Sequence, residues 1–222
     1  MPRPQITLKL ATSLDGKIAL ANGQSEWITG EASRAQGRKL RARHDGIAVG
    51  ANTAVLDNPQ LTTRIAGEPD PQRIIFDSRL RLPVESNLVK TAAQIPTLIL
   101  YDGTMNVEGY SLANTDVTLL PIKKDARGLD VVDAMAVLHG RGIKRLLVEG
   151  GGTLAASFIA AGFIDVIEWF RAPIILGGDG RNGIGPLRLE TLDLARRYDR
   201  VELRELGDDI YERYQRLDGS SA

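Results

Sequence analysis

Short apolar runs alternate with helical stretches through the first two-thirds of the chain, and this alternation limits the fold more than any other feature. Residues 5–11 place Ile6, Leu8 and Leu10 on one face and Thr7, Lys9 and Ala11 on the other, the period of a strand. Residues 46–50, 73–77, 97–101, 117–120 and 145–148 read as further strands. Helices are expected over 31–43, over 51–56 (ending before Pro59), from Asp130 to Leu138, and over 153–161, closed by Gly162. Residues 12–30 read as one long loop ending near Thr29, an expected helix N-cap. The last third changes character. Residues 165–171, 198–206 and 210–217 are strand-like, and Gly207-Asp208-Asp209 resembles a hairpin turn. The expectation is one α/β domain over residues 1–222, with a mixed sheet that is mostly parallel and has an antiparallel C-terminal edge flanked by helices. Its ordered core is expected over 5–217, with 218–222 a frayed tail.

Composition removes several chemistries. The 222 residues include no cysteine, which excludes disulfides, thiolate nucleophiles, iron–sulfur clusters and cysteine zinc sites. There are two histidines, His44 and His139, and no H-E-x-x-H, so no metal site is expected. No G-x-S-x-G is present, which argues against a serine triad. The 28 basic and 28 acidic side chains cancel, against a nucleic-acid binder with a broad basic face. No apolar run reaches the roughly 18 residues of a membrane span, and no signal peptide is read at the start. A cytoplasmic protein is expected.

The clearest chemical signal is Leu146-Leu147-Val148-Glu149-Gly150-Gly151-Gly152-Thr153-Leu154. A strand ends in a carboxylate, three glycines follow, and a helix begins. Bare glycine backbone admits a phosphate closely, and the helix start offers unpaired N–H groups and the positive end of its dipole. The stretch is neither G-x-G-x-x-G nor G-x-x-x-x-G-K-[ST]. On the motif alone, a tight strand-to-helix connection that needs glycine only for its backbone angles stands beside phosphate binding.

A second stretch, Thr7-Leu8-Lys9-Leu10-Ala11-Thr12-Ser13-Leu14-Asp15-Gly16-Lys17-Ile18-Ala19, is followed by Gly23-Gln24-Ser25-Glu26-Trp27, Leu40-Arg41-Ala42 and the run from Gly50 through Asp57-Asn58-Pro59 to Leu61-Thr62-Thr63-Arg64. With Asp77-Ser78-Arg79, the glycine turn and Ala172-Pro173-Ile174-Ile175-Leu176-Gly177-Gly178, this succession resembles the pyrimidine reductase family of riboflavin biosynthesis over residues 5–215. The resemblance implies a dihydrofolate-reductase-like fold, NADPH as cofactor, and reduction of the ribosylamino group of a pyrimidine 5′-phosphate to a ribitylamino group. It also implies a homodimer acting on a small molecule, while the charge balance and the lack of a long apolar run argue against a nucleic-acid or membrane partner.

By the same resemblance, Lys9 contacts the ribose and is the catalytic candidate. Ser25, Arg41, Leu61, Arg64 and Glu149 meet substrate. Ala11, Trp27, Thr53, Asp57, Ser78, Gly151, Gly152, Thr153 and Leu154 meet cofactor. Arginine forks suit a phosphate dianion, and a carboxylate such as Glu149 accepts hydrogen bonds from pyrimidine N–H groups. Arg79 is a charge-based addition for a cofactor 2′-phosphate. Read without the resemblance, Lys9 is a solvent-facing strand lysine, Trp27 a plug over the core, Arg41 part of a solvated basic helix face, and Leu61 a core residue. Many bacterial members of the family carry a zinc deaminase before the reductase, needing H-x-E and P-C-x-x-C. This sequence has neither. Deamination is therefore expected elsewhere, or the substrate is the undeaminated diaminopyrimidinone. A pterin-type reductase on the same fold and a non-catalytic nucleotide-binding protein are the rival readings.

Overall fold

Strand β1 (Gln5–Thr12) and the short β2 (Lys17–Ala19) precede helix α1 (Glu31–Ala42). Next come β3 (Gly46–Gly50), α2 (Ala51–Asp57), β4 (Gln72–Phe76), the short α3 (Asn87–Lys90), β5 (Thr97–Asp102), β6 (Thr118–Ile122) and a small hairpin, β7 (Lys124–Asp125) with β8 (Gly128–Leu129). Helix α4 (Val131–Gly140), β9 (Arg145–Gly150) and α5 (Gly152–Ala160) lead to β10 (Val166–Arg171), β11 (Arg181–Asn182), β12 (Tyr198–Leu206) and β13 (Asp209–Arg216). The computed structural model describes residues 2–217; the expected tail, 218–222, lies outside the described residues. The fold is mixed α/β, with a mostly parallel sheet and antiparallel strands at its edge. Among the described residues no helix is long and apolar enough to cross a membrane.

The chain divides into two compact units: Arg38–Leu147 with the start of the chain through Gln5, and Ile6–Gly37 with the chain from Val148 onward. In the first, β3, β4, β5 and β6 run parallel in that order. Ile47, Ala48, Val49, Ile74, Ile75, Phe76, Leu98, Ile99 and Leu100 are all buried, as parallel strands covered on both faces require. Each such isoleucine or leucine contributes roughly 1.5–3 kcal/mol of burial. Helix α2 packs against β3 and β4. Asp130 caps α4 as its sequence position suggests, accepting from the backbone N–H groups of Val132 and Asp133 at 2.8 and 3.4 Å.

In the second unit β1 pairs parallel with β10, and β10, β13 and β12 continue antiparallel. The expected hairpin over 198–217 is present, turning at Gly207 with φ +67°. Two expectations are corrected here. The long loop over 12–30 contains β2, which pairs with β11 far along the chain. Thr29 does not head α1. The helix starts after Gly30, whose carbonyl takes the first helical bond from Arg34. The buried Asp209 holds the helix start in place: its Oδ2 accepts from the Gly30 N–H at 2.7 Å and the Ser33 hydroxyl at 2.6 Å.

Candidate functional site

The glycine turn takes its shape from two glycines with different tasks. Gly151 sits just ahead of α5 at φ +87°, a conformation L side chains rarely adopt. Gly152 opens the helix, and a Cβ there would overlap the carbonyl oxygen of Asn182 and lie 3.2 Å from the Gly185 nitrogen. The Gly185 N–H in turn donates to the Gly152 carbonyl at 2.8 Å. Among the described residues no side chain caps α5. The first-turn N–H groups of Gly152, Thr153 and Leu154 precede the first helical bond, from Ala155 to Gly151, and suit an anion. Thr153 is exposed. Leu154 is buried with Phe158 and Ile159 on the expected stripe, so it offers its backbone rather than its side chain.

Lys9 is half-buried on β1, on the face it shares with Thr7 and Ala11. It is not an ordinary solvent-facing lysine. A Cβ on Gly37 of α1 would stand 3.8 Å from its Cε, and its ammonium lies 5.9 Å from the centre of the Phe170 ring. Glu168 is its register partner on β10, and Phe170 is the partner of Ala11. That face continues into β13 with Tyr211 and Arg213. Glu168 is buried, accepts a hydrogen bond from the Tyr211 hydroxyl, and stands 3.5 Å from the Arg213 guanidinium. Burial, and then the hydrogen bond to Glu168, push the Tyr211 phenol up from its ordinary value. The sequence analysis assigned neither Glu168 nor Tyr211 a role. Their one signal was a carboxylate and a phenol on alternating strand positions that face a lysine.

Trp27 is 69% exposed, so it is not a plug over the core. Its ring carries the Arg34 guanidinium 4.4 Å from the centroid, and Arg34 is fixed by the Thr29 carbonyl and the Glu31 carboxylate. Ser25, two residues before Trp27, is half-buried, as is Glu149 at the end of β9.

In the first unit, the substrate candidates gather on the loop after α2. Arg41, in the last turn of α1, is half-buried and donates to the Thr62 carbonyl at 2.8 Å, so it is more than a solvated helix residue. Asn58, Leu61 and Arg64 take left-handed φ values of +40°, +57° and +52°. Such angles cost a non-glycine residue about 1–2 kcal/mol and persist only where the surroundings impose them. Here they do. Asn87 holds Asn58 through paired 2.8 Å hydrogen bonds, and the Asp70 carboxylate takes both the N–H and the hydroxyl of Thr63 at 2.7 and 3.0 Å. Arg73 reaches the Gln60 carbonyl at 3.5 Å. Leu61 is 3% exposed while Arg64 is exposed, so one anchors the loop and the other is presented.

Arg73, which sequence reasoning missed, meets this loop through that long Gln60 contact and makes its shorter hydrogen bonds elsewhere. It lies fully buried in β4 and donates to the Thr91 hydroxyl at 2.7 Å and the carbonyls of Ile95 and Leu88 at 2.8 and 3.1 Å. Burial lowers its guanidinium to about 10, with nearby Asp70 pulling the other way. A lone arginine in a strand pattern carries no sequence signal for this role.

The cofactor candidates of this unit are more scattered. Thr53 is half-buried on α2 and Asp57 is exposed at its end. Ser78 is half-buried beside the fully buried Asp77, which accepts from the Leu82 N–H at 2.8 Å, and Arg79 is exposed.

A family model described as the RibD C-terminal domain matches residues 4–211. The riboflavin biosynthesis protein RibD of Actinobacillus pleuropneumoniae is 34% identical over 211 residues, covering 94% of this chain and 56% of that protein. The chain spans about half the length of the RibD relatives it matches. A protein of Methanothermobacter thermautotrophicus named 2,5-diamino-6-ribosylamino-4(3H)-pyrimidinone 5′-phosphate reductase is 34% identical over 223 residues, covering 96% of this chain and 98% of its own. Among solved structures, Acinetobacter baumannii RibD superimposes with a TM-score of 0.81 at 28% identity, covering 97% of this chain and 59% of that one.

Proposed function

Because the chain belongs to the pyrimidine reductase family of riboflavin biosynthesis, through its RibD C-terminal domain, we propose that it is an oxidoreductase that reduces the ribosylamino group of a phosphoribosylaminopyrimidine to the ribitylamino form. One observation carries this reading. The chain aligns end to end with a relative named as the diaminopyrimidinone phosphate reductase, 98% of whose length is covered. The proposed cofactor is NADPH. The uncapped start of α5, the left-handed Gly151 and the side-chain-free Gly152 fit a pyrophosphate, held by the backbone of Gly151, Gly152, Thr153 and Leu154. Ala11, Trp27, Thr53, Asp57 and Ser78 complete the proposed cofactor contacts. Bound NADPH supplies a hydride.

The protein's own groups do the rest. The ring-opened sugar has a carbon–nitrogen double bond at C1, which gains the hydride at carbon and a proton at nitrogen. Lys9 hydrogen-bonds the ribose and is the proposed source of that proton. Its confinement beside Phe170 on a face with a buried carboxylate keeps the ammonium in one place. Arg41 and Arg64 hold the 5′-phosphate, Leu61 lines the substrate's apolar side, Ser25 meets the substrate, and Glu149 accepts from pyrimidine N–H groups. The same reading makes the whole chain one functional reductase domain, working as a cytoplasmic homodimer on a small molecule without metal, nucleic acid or membrane.

A substrate panel tests the proposal: the 2,5-diamino pyrimidinone ribosyl phosphate, its deaminated uracil counterpart, and dihydrofolate, each with NADPH and NADH. NADPH oxidation is expected with at least one of the two pyrimidine phosphates, and their ratio fixes on which side of deamination the enzyme works. No turnover with either, or turnover with dihydrofolate, overturns the assignment.

A further inference from the structure

Residues 174–185 form a strap that lies between the β1–β2 turn and the glycine turn. At one end, the Asp15 carboxylate accepts from the backbone N–H groups of Leu176 at 3.1 Å and Gly177 at 2.9 Å, and from the Ser13 hydroxyl at 2.6 Å. The Leu14 N–H donates to the Ile174 carbonyl at 2.7 Å, and the Gly183 N–H to the Gly16 carbonyl at 3.0 Å. The Lys17 ammonium meets the Asn182 side-chain oxygen at 2.5 Å. At the other end, the Asn182 carbonyl group and the Gly185 nitrogen are the nearest groups that a Cβ on Gly152 would meet, and the Gly185 N–H donates to the Gly152 carbonyl. The strap thus forms the back wall of the turn that starts α5.

We propose that Asp15 is a positioning residue for the cofactor: by clamping the strap at Leu176 and Gly177, it fixes the wall against which Gly152 rests and so sets the N–H groups that hold the pyrophosphate. The inference rests on the cofactor reading given above. In this role Asp15 acts through the strap and not by direct contact with substrate or cofactor. It is solvent-exposed, so its replacement leaves the core intact. Its three hydrogen bonds hold the carboxyl down at about 2, so it is ionised throughout the working pH range and accepts from both backbone donors at once. An asparagine would turn one N–H donor toward backbone donors, and an alanine would leave the two N–H groups to water.

The test is NADPH binding by fluorescence titration to the full chain and to its D15N, D15A and D15E variants, with affinity for the pyrimidine phosphate and thermal melting measured on the same samples. The expected result is a loss of about tenfold in NADPH affinity for D15N and D15A, roughly one charge-assisted hydrogen bond. Affinity for the pyrimidine phosphate is expected to hold, the melting temperature to fall by no more than a few degrees, and D15E to recover part of the loss. Unchanged NADPH affinity in both D15N and D15A overturns the inference. So does a parallel fall in NADPH affinity, substrate affinity and melting temperature, which would mark Asp15 as merely structural. If the unmodified protein binds neither NADPH nor NADH, the cofactor reading itself fails, and the inference with it.

Discussion

The glycine turn before α5 and the loop from Asn58 to Arg64 both need left-handed backbone, and they obtain it in opposite ways. At the turn, Gly151 takes φ +87° with no Cβ to oppose it, and backbone N–H groups are what it offers. In the loop, Leu61 and Arg64 take φ +57° and +52° despite their side chains. A glycine there would be easier on the backbone, but it would supply neither a buried leucine anchor nor a guanidinium. Where a ligand is to be met by backbone, glycine suffices. Where it is to be met by a side chain, the strain must be offset by bracing, and Arg73, Asp70 and Asn87 provide it.

This contrast can be broken first at Arg73. R73A removes a buried guanidinium and leaves the carbonyls of Leu88 and Ile95 to share the Thr97 hydroxyl, so it should cost about 3 kcal/mol, read as a lower urea midpoint at unchanged slope. A loss under about 1 kcal/mol would mean the loop braces itself. Next is Gly152. A G152A methyl meets backbone rather than a flexible side chain, and the resulting overpacking of about 1–3 kcal/mol should fall on cofactor affinity, about 30-fold. Equal affinity would show that the turn relaxes freely.

Arg64 then separates strain from function. R64G should raise the Michaelis constant for the pyrimidine phosphate about tenfold while leaving stability unchanged or increasing it by about 0.5 kcal/mol. A fall in stability would mean the left-handed angle is not strained. The smallest effect concerns pH. The Asp15 carboxyl is lowered from 3.8 to about 2, so its clamp is complete above 3.8 and is lost only as pH falls through about 2. NADPH affinity, corrected for the cofactor's own phosphate titration, should not report Asp15 between pH 5 and pH 8. An inflection there that is present in the unmodified protein and abolished by D15A would contradict this.

The contrast also explains what the sequence could disclose. Apolar runs such as Ile47-Ala48-Val49 and Leu98-Ile99-Leu100 are strands by composition alone, and Gly207-Asp208 announces its hairpin locally. The glycine turn is equally legible as a strand-to-helix connection, because its glycines are consecutive residues. What escapes a linear reading is bracing from a distance. Thr29 does not head α1; Gly30 does, and it is held by Asp209, 179 residues further along the chain. The three-residue β2 makes sense only beside β11, and Lys17 finds Asn182 across 165 positions. The family resemblance proposed roles for Arg41 and Arg64. The buried Arg73, which reaches the loop that carries Arg64 at Gln60, had no such pointer, since nothing local marks a strand arginine as buried.

The central claim is that hydride from a nicotinamide reaches the sugar C1 of a pyrimidine ribosyl phosphate. Its most direct test is a turnover with NADPH carrying deuterium on the transferred face of C4, followed by mass and NMR analysis of the product. The account predicts a ribitylamino product heavier by one mass unit, with the label at the ribityl C1 and its formation suppressed about 10³-fold in K9A, within the range of a lost general acid. Product without deuterium, or with deuterium on the pyrimidine ring, would contradict it.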